Sequence, residues 1–297
     1  MLSKPLLHDL ILFRKYSENW MSVLFHVYSH KAPDIVLRTG VKLNSVKDPR
    51  ALFNLLSYGW EIEEHEETSL ILKNRSNIKL KCRLKEGFDL GHIIEIFEKE
   101  DYGHIFQDAT VIDVGASTAD SSIYFATKGA RKVYGIEPMK ETYDIALENV
   151  KLNNLEDKIH LINAALAYSS GKKEMAISSR NPNASSINPT ETIRKTGIDF
   201  DSKRIVNSVS LIDIMSQYNL AKIDLLKIDC EGCEYEVIRN IDDDTISRID
   251  YIILEFHDGL QFLGNFLEEK GYNIIYNHTV GVGLLKARRN NIGTSQL

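Results

Sequence analysis

The stretch Val111-Ile112-Asp113-Val114-Gly115-Ala116-Ser117-Thr118-Ala119-Asp120 is an apolar strand running into a turn of small residues and then into a helix. A turn of this kind lets a ligand come close to the backbone, because Gly115 has no side chain and the helix start beyond it offers unpaired N–H groups. Asp113 is a carboxylate inside an otherwise apolar strand, and the ammonium of a bound amino-acid moiety would account for it. A tight strand-to-helix turn without a ligand is the plainer reading. The glycine alone does not separate the two.

A second strand does. Val133-Tyr134-Gly135-Ile136-Glu137-Pro138 ends in a carboxylate 24 positions after Asp113, where doubly wound folds place the acidic residue that meets the ribose of a nucleotide. Glu137 also suits the start of a helix on dipole grounds. Taken together, the turn and Glu137 predict an adenosine-containing cofactor. NAD is disfavoured, because Ser117 and Asp120 stand where the second and third glycines of G-x-G-x-x-G would fall and leave little room for a pyrophosphate. S-adenosylmethionine, which has no phosphate, fits better.

Outward from this point, short apolar runs alternate with amphipathic helical stretches, the pattern of parallel βαβ units. Strands are predicted at 110–114, 132–136, 159–163, 223–228 and 251–256, with 273–276 and 283–286 as an antiparallel edge pair. Helices are predicted at 119–129, 139–153, 210–218, 232–241 and 258–270. Residues 178–204 are polar and read as a long loop, with Arg180, Asn183, Ser185 and Ser186 as candidate lid residues. Ahead of the α/β region, assigned to residues 106–297, the first 105 residues read as a helical and β-hairpin addition. Apolar residues at helical spacing mark 4–30, Asp48-Pro49 through Gly59 has the order of a capped helix, and 69–73 with 78–84 form a hairpin. The second strand of that hairpin carries a basic face, Lys79, Lys81, Arg83 and Lys85, read as solvated or, less readily, as a hold for an acidic substrate.

The 297 residues are 43% hydrophobic and carry a net charge of −6, all of it beyond residue 105. That balance gives no reason to expect nucleic-acid binding. No run reaches the length of a membrane span, no leader pattern opens the chain, and three cysteines without one point to a reducing, cytoplasmic setting.

The ordered motifs resemble the FkbM family of S-adenosylmethionine-dependent methyltransferases across roughly residues 99–290. They are the 111–120 turn, Gly135-Ile136-Glu137-Pro138, Glu148-Asn149-Val150 with Asn153, and Asn163-Ala164-Ala165-Leu166, followed by Leu226-Lys227-Ile228-Asp229-Cys230-Glu231-Gly232-Cys233-Glu234 and Ile253-Leu254-Glu255-Phe256-His257. Ser117 stands where the family often has Asn, and Ala119 where it usually has Gly. The resemblance implies a class I methyltransferase (Rossmann-like) fold with a mixed seven-stranded sheet. It also implies a cofactor site formed by Asp113, Gly115, Ser117, Glu137, Asn163 and Ala164, and methyl transfer to a hydroxyl of a small acceptor, such as a sugar.

Lys227, Asp229, Glu231 and Glu234 crowd the end of an otherwise apolar strand, at the edge where doubly wound sheets bind ligands. Asp229 is the first candidate for base or acceptor anchor and His257 the second, with Lys227 beside them. A structural ion pair between Lys227 and Asp229 is the alternative, and Glu231 and Glu234 read as helix-capping. Asp229, Glu231, Glu255 and His257 are also possible metal ligands, but charge pairing is the simpler account and no metal is assigned. Cys230-Glu231-Gly232-Cys233 reads as neither a redox nor a zinc motif. A nicotinamide-dependent oxidoreductase and a non-catalytic binding domain on the same fold remain as other readings.

Overall fold

Helical spacing in the first thirty residues becomes two helices, α1 (Lys4–Tyr16) and α2 (Trp20–Tyr28). The computed structural model describes residues 4–103, 107–179, 185–187, 200–257, 259–278 and 282–290. The chain divides into two units, Met1–Asp101 and Tyr102–Leu297.

In the first unit a short pair, β1 (Ile35–Val36) and β2 (Lys42–Leu43), precedes α3 (Pro49–Tyr58). Asp48 caps α3 by accepting the Ala51 N–H, and Gly59 closes it at φ +97°. That left-handed conformation favours glycine. A three-stranded antiparallel sheet follows in the order β3 (Glu61–His65), β4 (Ser69–Lys73), β5 (Lys79–Arg83). The first of these strands is absent from the sequence reading. It changes the meaning of the basic face, because Lys79 pairs with Glu63 at 2.8 Å, Lys85 with Glu67 at 3.0 Å and Arg83 with Asp89 at 2.7 Å. The face is neutralised from within, which removes the argument for an acidic substrate there. Helix α4 (Asp89–Ile93) and a π-helical turn, Ile94–Glu98, complete the unit.

The second unit opens with β6 (Thr110–Val114), α5 (Asp120–Thr127), β7 (Lys132–Ile136), α6 (Lys140–Leu152) and β8 (Ile159–Ile162). Next come β9 (Ala165–Leu166), β10 (Gly171–Ile177) and β11 (Ser202–Val209), then α7 (Leu211–Gln217). The chain continues through β12 (Ile223–Ile228), α8 (Cys233–Asn240), α9 (Asp243–Ser247) and β13 (Ile249–Phe256). It ends on α10 (Gln261–Glu269), β14 (Tyr272–Tyr276) and β15 (Gly283–Arg289).

The large sheet has the order β14-β15-β13-β12-β6-β7-β8, five parallel strands with β15 antiparallel to both β13 and β14. This is the mixed seven-stranded α/β sheet that the sequence predicts. Its central strands are buried on both faces, with Ile112, Leu226 and Ile252 on one and Val111, Leu225 and Ile253 on the other at most 1% exposed, so they read as unbroken apolar runs. The strand order reverses between β6 and β12, which opens a crevice at the carboxyl ends of those strands.

The segment predicted as a loop, 178–204, overlaps a strand only at 202–204 among the described residues. Its flanks are the hairpin β10–β11, which pairs from Gly171↔Ser208 to Ile177↔Ser202, with β11 also parallel to β9. Ser186 exchanges backbone hydrogen bonds with Ala176, and Ser185 is buried, while Arg180 and Asn183 lie outside the described residues. Met139, Met175 and Ile177 form a small core that fixes the hairpin beside the start of α6.

Candidate active site

Strand alternation puts Asp113, Lys227, Asp229, Glu255 and His257 on one face of the sheet, because β6, β12 and β13 pair in register at Asp113↔Lys227 and Lys227↔Ile253. All of these residues sit near the carboxyl ends of their strands.

The glycine turn is held shut by backbone contacts. The N–H groups of Gly115 and Ala116 both donate to the Ile136 carbonyl at 3.0 Å, so these two donors are already used. Gly115 has φ +72°, and a Cβ built there would lie 1.7 Å from the Asp229 carbonyl oxygen. The turn after β6 and the turn after β12 therefore touch. Ser117 and Ala119 are also left-handed, at φ +46° and +65°. Asn149 donates from its side chain to the Thr118 carbonyl at 2.9 Å, which gives the Glu148-Asn149-Val150 motif a physical role.

Asp113, read from the sequence as a cofactor contact, makes contacts within the chain. It is fully buried, and its carboxylate accepts hydrogen bonds from Ser121 and Ser122 at 2.7 and 2.6 Å and faces the Lys227 ammonium at 3.3 Å. The ammonium that its burial requires is supplied by the chain itself.

Lys227 in turn donates to the carbonyls of Val114 and Gly115 at 3.1 and 2.9 Å and lies 3.7 Å from Asp229. Burial opposes the charge on this lysine, but Tyr102, Asp113, Asp229 and Asp120 outweigh it and hold the ammonium protonated. The Tyr102 ring lies 5.8 Å from that ammonium and 5.5 Å from the Phe125 ring. Burial pushes the Tyr102 phenol well above its ordinary range. No sequence motif marks Tyr102, which precedes the first strand of the large sheet.

At the end of β7, Glu137 accepts the Met139 N–H at 2.8 Å and is mostly buried. Asn163 donates to the Glu137 and Pro138 carbonyls at 2.9 and 3.1 Å, fixing the turn that carries Glu137, and Ala164 is buried beside it.

Asp229 is 30% exposed in its side chain, whereas His257 is 6% exposed. His257 lies among carboxylates: Glu231 at 3.2 Å and Glu255 at 3.8 Å from Nε2, and Glu234 at 3.6 Å from Nδ1. Glu234 is fully buried and accepts the Cys230 and Gly232 N–H groups at 3.0 and 2.8 Å, so it caps the turn leading into α8. Burial pushes its carboxyl up, opposed by His257 and by the Cys230 N–H. Among the described residues no group of three or more His, Cys, Asp or Glu side chains has the geometry to hold a metal ion.

Cys230 and Cys233 are joined by a disulfide across the left-handed residues Glu231 and Gly232. Two of the three cysteines are therefore paired, which withdraws the cysteine-based argument for a reducing compartment. No described helix is long and apolar enough to cross a membrane.

A glycine turn, a carboxylate at the end of the next strand and a charged crevice come together at the sheet's switch point, where doubly wound domains bind ligands. Residues 113–274, more than half of the chain, match the methyltransferase FkbM domain model, and the chain belongs to that family of methyltransferases. Methyltransferase sdnD of Sordaria araneosa is 25% identical over 59% of this chain and 77% of its own length. Protein arginine N-methyltransferase 1 of Schizosaccharomyces pombe is 42% identical, but over only 20% of this chain and 17% of its own. The crystal structure of a methyltransferase FkbM from Methylobacillus flagellatus aligns with 66% of this chain and 47% of that one, at a TM-score of 0.44 and 13% identity.

Proposed function

We propose that the chain transfers a methyl group from S-adenosylmethionine to a hydroxyl oxygen of a sugar or another small metabolite. The observation that carries this reading is the contact between the Gly115 turn and the Asp229 carbonyl, which brings a half-open carboxylate up against the cofactor turn. The residues present fit a cofactor without phosphates, because the Gly115 and Ala116 N–H groups that would cradle a pyrophosphate are taken by Ile136, and the nearby Asp113 and Asp120 repel anions.

When bound, S-adenosylmethionine supplies an electrophilic methyl group on a sulfonium. The turn that carries Gly115 and Ser117 faces it, Glu137 meets the ribose hydroxyls, and Asn163 and Ala164 hold the edge of the adenosine site. Asp229 accepts the proton of the acceptor hydroxyl, a role suited to its exposure and its place beside the cofactor turn. Lys227 keeps Asp229 charged and braces the glycine turn. His257 lies among the carboxylates behind Asp229.

Calorimetric titration with S-adenosylmethionine, S-adenosylhomocysteine and NAD tests the cofactor, and transfer of labelled methyl groups into a panel of sugars and small alcohols tests the acceptor. Saturable binding of the first two ligands and label in a hydroxylated acceptor are expected. Binding of NAD alone overturns the reading, and label confined to amines overturns the hydroxyl assignment.

A further inference from the structure

Asp229 and Glu255 leave β12 and β13 side by side, one residue past the register pair Ile228↔Leu254. The register puts both side chains on one face of neighbouring strands, and the charge of Asp229 raises the Glu255 carboxyl. Two adjoining carboxyl groups do not both ionise freely, and a proton kept on one lets it donate a hydrogen bond to the other.

The surroundings decide which one. Asp229 has the Lys227 ammonium at 3.7 Å, which favours its charged form. Glu255 faces the charge of Asp229 and of Glu231 and Glu234, with the His257 Nε2 at 3.8 Å. His257 is itself shared with Glu231 on one nitrogen and Glu234 on the other, and its Nδ1 makes no hydrogen bond. The proton therefore stays on Glu255. Its carboxyl is raised to about 10, first by the charge of Asp229 and then by burial.

We propose that Glu255 is the positioning residue of Asp229: its neutral carboxyl donates a hydrogen bond to one Asp229 oxygen and leaves the other aimed at the acceptor hydroxyl. This rests on the reading of Asp229 as proton acceptor. In the transfer step the acceptor oxygen bonds to the methyl carbon while the carbon–sulfur bond breaks and leaves its electron pair on sulfur as a thioether. The hydroxyl proton passes to Asp229, and Glu255 keeps its own proton throughout. If Glu255 were ionised, two adjacent carboxylates would repel and Asp229 would turn away from the acceptor.

Two measurements on the full chain test this. In the first, the protein is labelled with carboxyl-13C glutamate and titrated by NMR, and the Glu255 signal is assigned by its loss in Glu255→Gln. It is expected to titrate near pH 10 and to fall by several pH units in Asp229→Asn. A Glu255 signal that titrates in the ordinary carboxylate range, or that does not move in Asp229→Asn, overturns the proposal. No acceptor or cofactor is needed, so this outcome stands apart from whether the methyl-transfer reading holds.

In the second, using a hydroxylated acceptor found in the panel, Glu255→Ala is expected to lower kcat by ~100-fold with little change in the KM for S-adenosylmethionine. Glu255→Gln, the isostere of the protonated form, is expected to restore most of that loss. A Gln variant as slow as the Ala variant overturns the proposal, and thermal melts of both variants separate this result from misfolding.

Discussion

Replacing Lys227 with Met tests the centre of the site. The substitution keeps most of the stem volume and removes an ammonium that is 2% exposed and held by Asp113 at 3.3 Å and by two turn carbonyls at 2.9 and 3.1 Å. Breaking a buried pair from one side costs about 3–5 kcal/mol, because the remaining charge is left without its counterion. Ser121 and Ser122 still bond Asp113 in the variant, which puts the expected loss near the lower bound, about 3 kcal/mol. Asp229 adds little, since its side chain is 30% exposed and screened by water. Asp113→Asn should cost a similar amount, and the double variant should cost about as much as either single one, because each has already lost the same pair. With a urea dependence of roughly 3 kcal/mol per M, the midpoint of Lys227→Met falls by about 1 M. The transition should be followed by circular dichroism, since both tryptophans, Trp20 and Trp60, lie in the first unit and would not report on the second. An unchanged midpoint in Lys227→Met, or a double variant whose cost is the sum of the singles, refutes the reasoning.

Ala119 sits at φ +65°, where a side chain costs about 1–2 kcal/mol, so Ala119→Gly should stabilise the second unit by about 0.5–1 kcal/mol after the added freedom of the unfolded chain is subtracted. A lower melting temperature in this variant would show that the turn is not strained. The disulfide predicts that denatured, unreduced protein takes up iodoacetamide at Cys82 alone, and at all three cysteines after reduction. Three adducts without reductant would count against the bond. Glu255 binds its proton more tightly in the folded chain than in the unfolded one, so its contribution to stability falls as pH rises from the usual carboxylate range toward about 10. The melting temperature of Glu255→Gln should accordingly gain on the parent across that window and not below it, and parallel curves would sink the idea.

Much of this was legible in the sequence. The strands 110–114, 132–136 and 223–228 match the structure at both ends, because their burial on two faces leaves unbroken apolar runs. Strands β3 and β11 were not legible, for the opposite reason. Their residues are largely exposed, so Glu61–His65 and Ser202–Val209 carry no apolar alternation and are held by pairing with a neighbour. The site shows a similar division. Asp113, Lys227 and Asp229 announce themselves as charges in apolar strands, but the sequence does not say that Lys227 serves as the ammonium for Asp113 from another strand. Nor does it say that Asn149 and Asn163 tie turns through their side chains.

The contact at Gly115 has a consequence for how such a domain can diversify. With the Asp229 carbonyl filling the space where a side chain would begin, the turn after β6 and the turn after β12 form a single mechanical part, and neither can be reshaped without the other. New acceptors must then be accommodated by elements that do not share this wall, and the β10–β11 hairpin, anchored through Met175 and Ile177 beside Met139, is one that can change length and composition while the chemistry stays in place.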